Sequence, residues 1–216
     1  MRDQLYHEPD ARELADLDRA ARTLDPWTIY RRRTHDEPVT VERLASQVSS
    51  LLGAEAAREI FASKVPMWTR RTADRWMYDR LLADPPLLER RLRGYEHLIG
   101  TRCWHPVRDP QLVLLPTTTQ WLTPAWSSYF GFYGRPDGQG GLAAAIRQWE
   151  QRWGAALVAS WGTMLQFVVA RQPAPGDQAW ELAGQLLAVG DNLQVSQSVL
   201  AIVVSRSDAW FLHDRP

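Results

Sequence analysis

The sequence predicts an α+β fold in which an N-terminal helical region packs on a small mixed or antiparallel sheet with two helices. Residues 1–100 carry apolar side chains at helical spacing, in short segments separated by proline or glycine. From residue 101 onward, β-branched and aliphatic runs alternate with turn residues, a pattern typical of strands. No long glycine- or serine-rich linker separates the two parts. We therefore expect a helical region, 1–105, to pack against an α+β domain, 106–216.

The composition is that of a globular protein without a nucleic-acid or membrane partner. The chain has 216 residues, 45% of them apolar and 23% charged, which suffices for a sizeable core. Its 25 basic and 25 acidic residues cancel, so no overall field attracts nucleic acid or anionic lipid. The single cysteine, Cys103, excludes an intramolecular disulfide and a multi-cysteine zinc site. No apolar run approaches the ~18–20 residues that cross a bilayer, and residues 1–10 lack the apolar core of a secretory signal. We expect a cytoplasmic protein that needs no metal or cofactor.

Helices are expected throughout the first hundred residues. Asp10 is a suitable N-cap for the first helix, and Pro26 ends it because the residue before a proline disfavours the helical conformation. Gly53 ends the second, and Ile60 and Phe61 form the buried pair of the third. The predicted helices cover residues 10–24, 40–52, 54–64, 66–83 and 87–99.

The second half alternates strands and helices. The helix over 142–153 has apolar residues at one face and ends at a glycine, and Asp177 is a suitable cap for a second helix. An aromatic loop between the first strand and the first of these helices is expected to lie over the sheet. The predicted strands cover residues 111–115, 155–160, 164–170, 199–205 and 209–212, with a tight hairpin turn at 161–163.

Aromatic side chains are densest in this loop. Six of them lie in the fourteen residues from Trp121 to Gly134, interleaved with glycine, proline and serine, which excludes a regular amphipathic helix. Aromatic and arginine side chains are favoured in the centres of protein interfaces, and they also line ligand pockets. The predicted binding residues are Trp121, Trp126, Tyr129 and Tyr133, with Arg171 and His105 supplying polar groups.

Four stretches of the second half carry a family resemblance. They are LVLLPTTTQW at 112–121, IRQWEQRWGAALV at 146–158, TMLQFVVARQP at 163–173 and AWELA at 179–183. With them, residues from about 110 to the end resemble the bacterial domain-of-unknown-function family numbered 4253. The resemblance implies a bacterial cytoplasmic α+β domain and no particular activity. Family members carry a Cys-Pro-Asp…Asp-Gln-Gly segment after the last helix, whereas this chain keeps at most Asp191 of its acids, so a family site in that segment is not expected here.

Two groups of side chains have the residue types of a catalytic or metal site. Cys103 and His105 face the same way if they lie on a strand, which would activate the thiol, and His97 would be a third zinc-type ligand. A second group combines a histidine base with serine and carboxylate partners: Ser205, Ser207, Asp208, His213 and Asp214. For both groups a structural role is the simpler interpretation, because a lone cysteine is usually a small buried residue and terminal charges are usually solvated.

Two functions remain open. The first is a non-enzymatic protein-interaction module, such as an immunity or accessory factor, that docks a protein or peptide through an aromatic surface. The alternative is an enzyme or a ligand-binding accessory protein of a bacterial biosynthetic pathway, with an aromatic-lined pocket for a small molecule between the two regions. An exposed apolar patch favours the first. A convergent polar cluster in a concave pocket favours the second.

Overall fold

The helical N-terminal region is confirmed by a computed structural model, which describes residues 8–30, 37–62, 68–104, 112–127, 129, 138–190 and 193–214. The helices of this region are α1 (Ala11–Thr23), α2 (Pro26–Tyr30), α3 (Val41–Leu52), α4 (Ala54–Ala62), α5 (Arg70–Ala83) and α6 (Pro85–Gly94). Two short strands, β1 (Pro38–Val39) and β2 (Trp68–Thr69), pair antiparallel between them. Two 3-10 helices, Glu96–Leu98 and Gly100–Cys103, complete the region.

The C-terminal part is a three-stranded antiparallel sheet with helices on it. A 3-10 helix, Gln120–Ala125, precedes α7 (Gly138–Trp153), β3 (Ala155–Ser160) and β4 (Met164–Val169). They are followed by α8 (Asp177–Val189), α9 (Gln197–Val204) and β5 (Ala209–His213), and the strand order is β3-β4-β5. The expected α+β class is therefore correct, and the sheet is antiparallel. None of the described helices is long and apolar enough to cross a membrane.

Capping residues set the helix ends that the sequence predicts. The Asp10 carboxylate accepts the N–H groups of Arg12 and Glu13, both at 2.8 Å, and the Glu13 side chain accepts the Asp10 N–H in return. Gly53 ends α3 at a φ of +102°, a conformation that side chains disfavour. These elements confirm the predicted first and second helices.

One core joins the two regions. Trp149 of α7 lies at its centre, with ring centroids 5.8 Å from Trp27, 5.7 Å from Phe167 and 6.5 Å from Trp210. Because these rings come from α2, β4 and β5, helices of the first region and strands of the second bury the same surface. The predicted boundary between residues 105 and 106 falls outside the described residues.

Buried polar contacts fix the same interface. The Gly176 N–H donates to the Tyr78 hydroxyl oxygen at 2.8 Å, and the Tyr78 ring stacks on Trp180 at 5.5 Å. The buried Asp74 carboxylate accepts the Gln197 N–H at 3.2 Å, at the start of α9. If the two regions met differently, these buried polar groups would lose their hydrogen-bond partners, which costs free energy. The contacts therefore specify how the regions meet.

Two predicted strands are wrong. Residues 112–115 have no regular secondary structure, and the side chains of Leu112 and Leu114 are exposed rather than buried. The run predicted as a strand over 199–205 is mostly helix α9, whose N-terminus is capped by Ser196 accepting the Val199 N–H at 3.3 Å. A buried helix and a buried strand can share an all-apolar composition, so the run itself does not distinguish them.

Three finer expectations also fail. The Gln120–Ala125 3-10 helix packs on α1 and α7, so the aromatic loop does not lie over the sheet there. Phe61 is 59% exposed, and Ile60 alone is buried in α4. Asp177 is not the N-cap of α8, because Gly176 holds that position. Asp177 lies in the first turn, where its carboxylate pairs with Arg75 at 2.8 Å.

Candidate functional site

The two most exposed large apolar side chains of the described chain lie in a three-residue segment, 112–114, which we call the exposed leucine segment. Leu112 is 90% exposed, Val113 42% and Leu114 87%. The peptide groups of residues 112–115 make no hydrogen bond with the part of the chain that the structure describes. Exposed large apolar side chains become more favourable when a partner covers them. The exposed peptide groups hydrogen bond with water and can exchange that water for a partner's backbone.

A small apolar cluster anchors the segment at its C-terminal end. Leu115 is half-buried and packs on a cluster that joins α1, the Gln120–Ala125 3-10 helix and α7. The buried members of the cluster are Leu17, Ala21, Ala125, Trp126 and Ala143, with Leu14, Trp121 and Leu122 packed against them. The exposed leucine segment therefore leaves the protein surface beside Trp121, a predicted binding residue.

Charged side chains surround Trp121. Its indole N–H donates to the Asp18 carboxylate at 2.9 Å, and the Arg22 and Arg147 guanidinium carbons lie 5.6 and 5.8 Å from its ring centroid. Hydrogen bonds from Arg22 and then from Trp121 lower the pKa of Asp18. Arg147 forms no ion pair with any side chain that the structure describes. The half-buried ring is thus held in place by Asp18 and flanked by two guanidinium groups.

The other predicted binding residues are placed differently. Trp126 is 8% exposed and Tyr129 1%, so their rings offer little surface to a partner. The exposed Arg171 donates to the carbonyl oxygens of Gln151 at 2.8 Å and Arg152 at 3.1 Å, where it caps the end of α7. The two remaining residues, His105 and Tyr133, lie outside the described part of the chain.

Gln120 closes part of the outer edge of β3. Its side-chain amide donates to the Ala155 carbonyl oxygen at 2.8 Å and accepts the Leu157 N–H at 2.7 Å. The amide therefore makes the two hydrogen bonds that a neighbouring strand would make. An edge strand with free peptide groups is a template for self-association, and Gln120 covers that template.

A narrow cavity opens between the 3-10 helices before residue 104 and the C-terminal part. Its volume is about 30 Å³, room for water-sized occupants rather than an organic ligand. Burial raises the pKa of the Cys103 thiol to about 12, which leaves it protonated and unreactive at neutral pH. The lining is almost wholly apolar: Leu98, Cys103, Leu186, Leu193, Val195, Leu200, Val203, Val204, Ala209, Trp210 and Phe211.

The two serines predicted as partners of a histidine base form hydrogen bonds with backbone groups. The buried Ser207 hydroxyl accepts the Gly100 N–H at 2.8 Å and donates to the Ala209 carbonyl oxygen at 2.5 Å. The Ser205 hydroxyl donates to the Ile202 carbonyl oxygen at 2.8 Å. Within the described ranges no group of histidine, cysteine, aspartate and glutamate side chains is arranged to hold a metal ion.

Two features of this surface were not predicted from the sequence. The sequence did not predict the exposure of residues 112–114, because an aliphatic run between turns is the pattern of a buried strand. The hydrogen bonds of Gln120 to the β3 edge were not predicted either, because a single glutamine forms no recognisable sequence pattern.

Comparison with known proteins finds a family model that matches the C-terminal part of the chain. Residues 111–214 match the family model described as a domain of unknown function, DUF4253, which agrees with the resemblance found in the sequence of this part of the chain. The match includes the exposed leucine segment, Trp121 and Arg147, whereas α1 lies before it. No curated protein and no solved structure matched the chain.

Proposed function

We propose that the protein is a non-enzymatic protein-interaction module that docks a protein or peptide through the exposed leucine segment, with Trp121 at its flank. The observation that carries the proposal is the exposure of Leu112 and Leu114, 90% and 87%. Full burial of a leucine side chain is worth about 1.5–3 kcal/mol. The two side chains would then contribute about 3–6 kcal/mol to complex formation, before the entropic cost of association is subtracted.

The described polar groups near the cavity and the C-terminus have structural roles, which favours this function over the alternative of an enzyme or a ligand-binding accessory protein. The cavity is small and apolar, and its thiol is protonated. The serine hydroxyls near the C-terminus hydrogen bond with backbone groups. A location in the cytoplasm and a role as a bacterial immunity or accessory factor belong to the same proposal. The unpaired Cys103 supports the location, because free thiols persist in reducing compartments.

Capture from a lysate of the source organism tests the proposal. The baits are the intact chain, the double variant Leu112→Asp with Leu114→Asp, and the control Phe61→Asp. Phe61 is a suitable control because it is a large apolar residue, 59% exposed, on α4. We expect the intact chain and the control to retain one partner in stoichiometric amount, and the double variant to lose it.

The contrary results are equally specific. If the folded double variant retains the partner as well as the intact chain does, the exposed leucine segment is not the docking surface. If the intact chain retains no partner, the interaction module is excluded in favour of the small-molecule alternative. Circular dichroism of each bait establishes that the substitutions leave the fold intact.

A further inference from the structure

We infer that the exposed leucine segment binds its partner as an added β-strand, and that the partner is a different protein with an open sheet edge. This inference rests on the proposed function and specifies its partner. The juxtaposition that carries it is a strand-forming sequence with unpaired peptide groups on a chain whose described sheet edges are partly covered or short.

The degree of side-chain exposure along the segment varies with a period of two. Leu112 and Leu114 are almost fully exposed, whereas Val113 between them is 42% exposed and Leu115 after them packs on the small apolar cluster. A period of two places successive side chains on opposite faces. Leu112 and Leu114 thus share the face that awaits a partner.

The backbone is also available for pairing. The peptide groups of residues 112–115 are free of hydrogen bonds to the described chain. Pro116 follows, and a residue before proline disfavours the helical region, so Leu115 favours an extended conformation that suits a strand. Pro116 has no N–H and ends the run that can pair. In strand addition the main-chain hydrogen bonds supply affinity and the alternating side chains supply specificity.

A second copy of this chain offers no matching edge among the described strands. Gln120 occupies the β3 edge at Ala155 and Leu157. On β5, the Trp104 indole N–H donates to the Trp210 carbonyl oxygen at 3.2 Å. The strands of the other sheet, β1 and β2, are two residues long. A partner for four residues must therefore bring an edge of its own.

Proline substitution separates strand addition from side-chain docking. In an added strand, alternate residues direct their N–H groups at the partner, so either Val113 or Leu114 does so. The variants Val113→Pro and Leu114→Pro each remove one N–H, and Val113→Ala and Leu114→Ala are their matched side-chain controls. Each is used as bait in the lysate capture described above, with the retained partner quantified.

Strand addition predicts that one of the two proline variants retains at least about tenfold less partner than its alanine control, since a main-chain hydrogen bond is lost and its acceptor is left unpaired. Equal retention by both proline variants and their controls would overturn strand addition. The proposed function would survive that result if the aspartate double variant still loses the partner.

Sedimentation of the intact chain alone tests the identity of the partner. We expect a monomer at concentrations up to about 100 μM, a range in which a specific homodimer of ordinary affinity would assemble. A dimer that the aspartate double variant abolishes would show that the occupant is a second copy, and it would overturn the inference of a different protein.

Discussion

Replacement of Gln120 with alanine removes both hydrogen bonds that close the β3 edge. Each bond contributes about 0.5–1.5 kcal/mol net, and an unsatisfied buried group costs about 1–3 kcal/mol. The Ala155 residue that supplies one acceptor is 1% exposed, whereas Leu157 is half-buried and its N–H can be reached by water after the change. We therefore expect the free energy of unfolding to fall by about 2 kcal/mol.

Urea denaturation followed by tryptophan fluorescence measures this loss. With a slope of about 3 kcal/mol per molar urea, a loss of about 2 kcal/mol lowers the midpoint by roughly 0.7 M. Gln151→Ala is the matched control, because Gln151 is an exposed glutamine of α7 whose side chain makes no hydrogen bond in the described chain. Its midpoint should change by less than about 0.2 M, since exposed substitutions stay within about 0.5 kcal/mol.

The same variant tests the role of Gln120 at the sheet edge. With Gln120→Ala the edge of β3 is open, and the exposed leucine segment of a second molecule can pair with it. We expect concentration-dependent self-association that is absent in the intact chain. A variant with an unchanged midpoint that remains monomeric would refute the account of Gln120 as a clamp.

Three further predictions concern buried groups. Because burial raises the pKa of Cys103 to about 12, the native thiol should react with iodoacetamide at pH 8 about a thousandfold more slowly than the urea-unfolded thiol; comparable rates would contradict its burial. Desolvation raises the pKa of Asp74 above 3.8, although the hydrogen bond from the Gln197 N–H opposes the shift, so the free energy of unfolding should fall as pH rises from 3.8 through the raised pKa. In urea titrations Asp74→Asn should lack this fall. Identical pH profiles of the variant and the intact chain would contradict the burial of this carboxyl group. Ser207→Ala leaves the Gly100 N–H without its partner and should cost about 1–3 kcal/mol by the same assay, with a loss below about 0.5 kcal/mol as the contrary result.

The sequence predicted the structure correctly where residues close together in the chain determine the local conformation. The start of α1 follows from the Asp10 capping box, and the end of α3 follows from Gly53. The amphipathic pattern of 142–153 predicted the core-facing side of α7, including Trp149. The hairpin of β3 and β4 follows from two apolar runs around a short turn.

Contacts between distant residues decided the rest. The apolar run of α9 is buried all round, so its helical state depends on the Ser196 cap and on Asp74 of α5 rather than on periodicity. The run 112–115 has strand composition but pairs with none of the described strands, and a strand forms only with a partner. The burial of Tyr129 likewise depends on the surface that it packs against, which composition does not reveal.

Amide hydrogen exchange of the free protein tests most directly whether residues 112–115 are held exposed and unpaired. We expect the amides of Val113, Leu114 and Leu115 to exchange within about tenfold of the unfolded-chain rate, because no acceptor in the described part of the chain protects them. The amides of β4, paired on both sides, should exchange far more slowly and serve as the internal control. Protection of residues 113–115 comparable to that of β4 would show that the segment is already paired, and it would contradict both the proposed docking surface and strand addition.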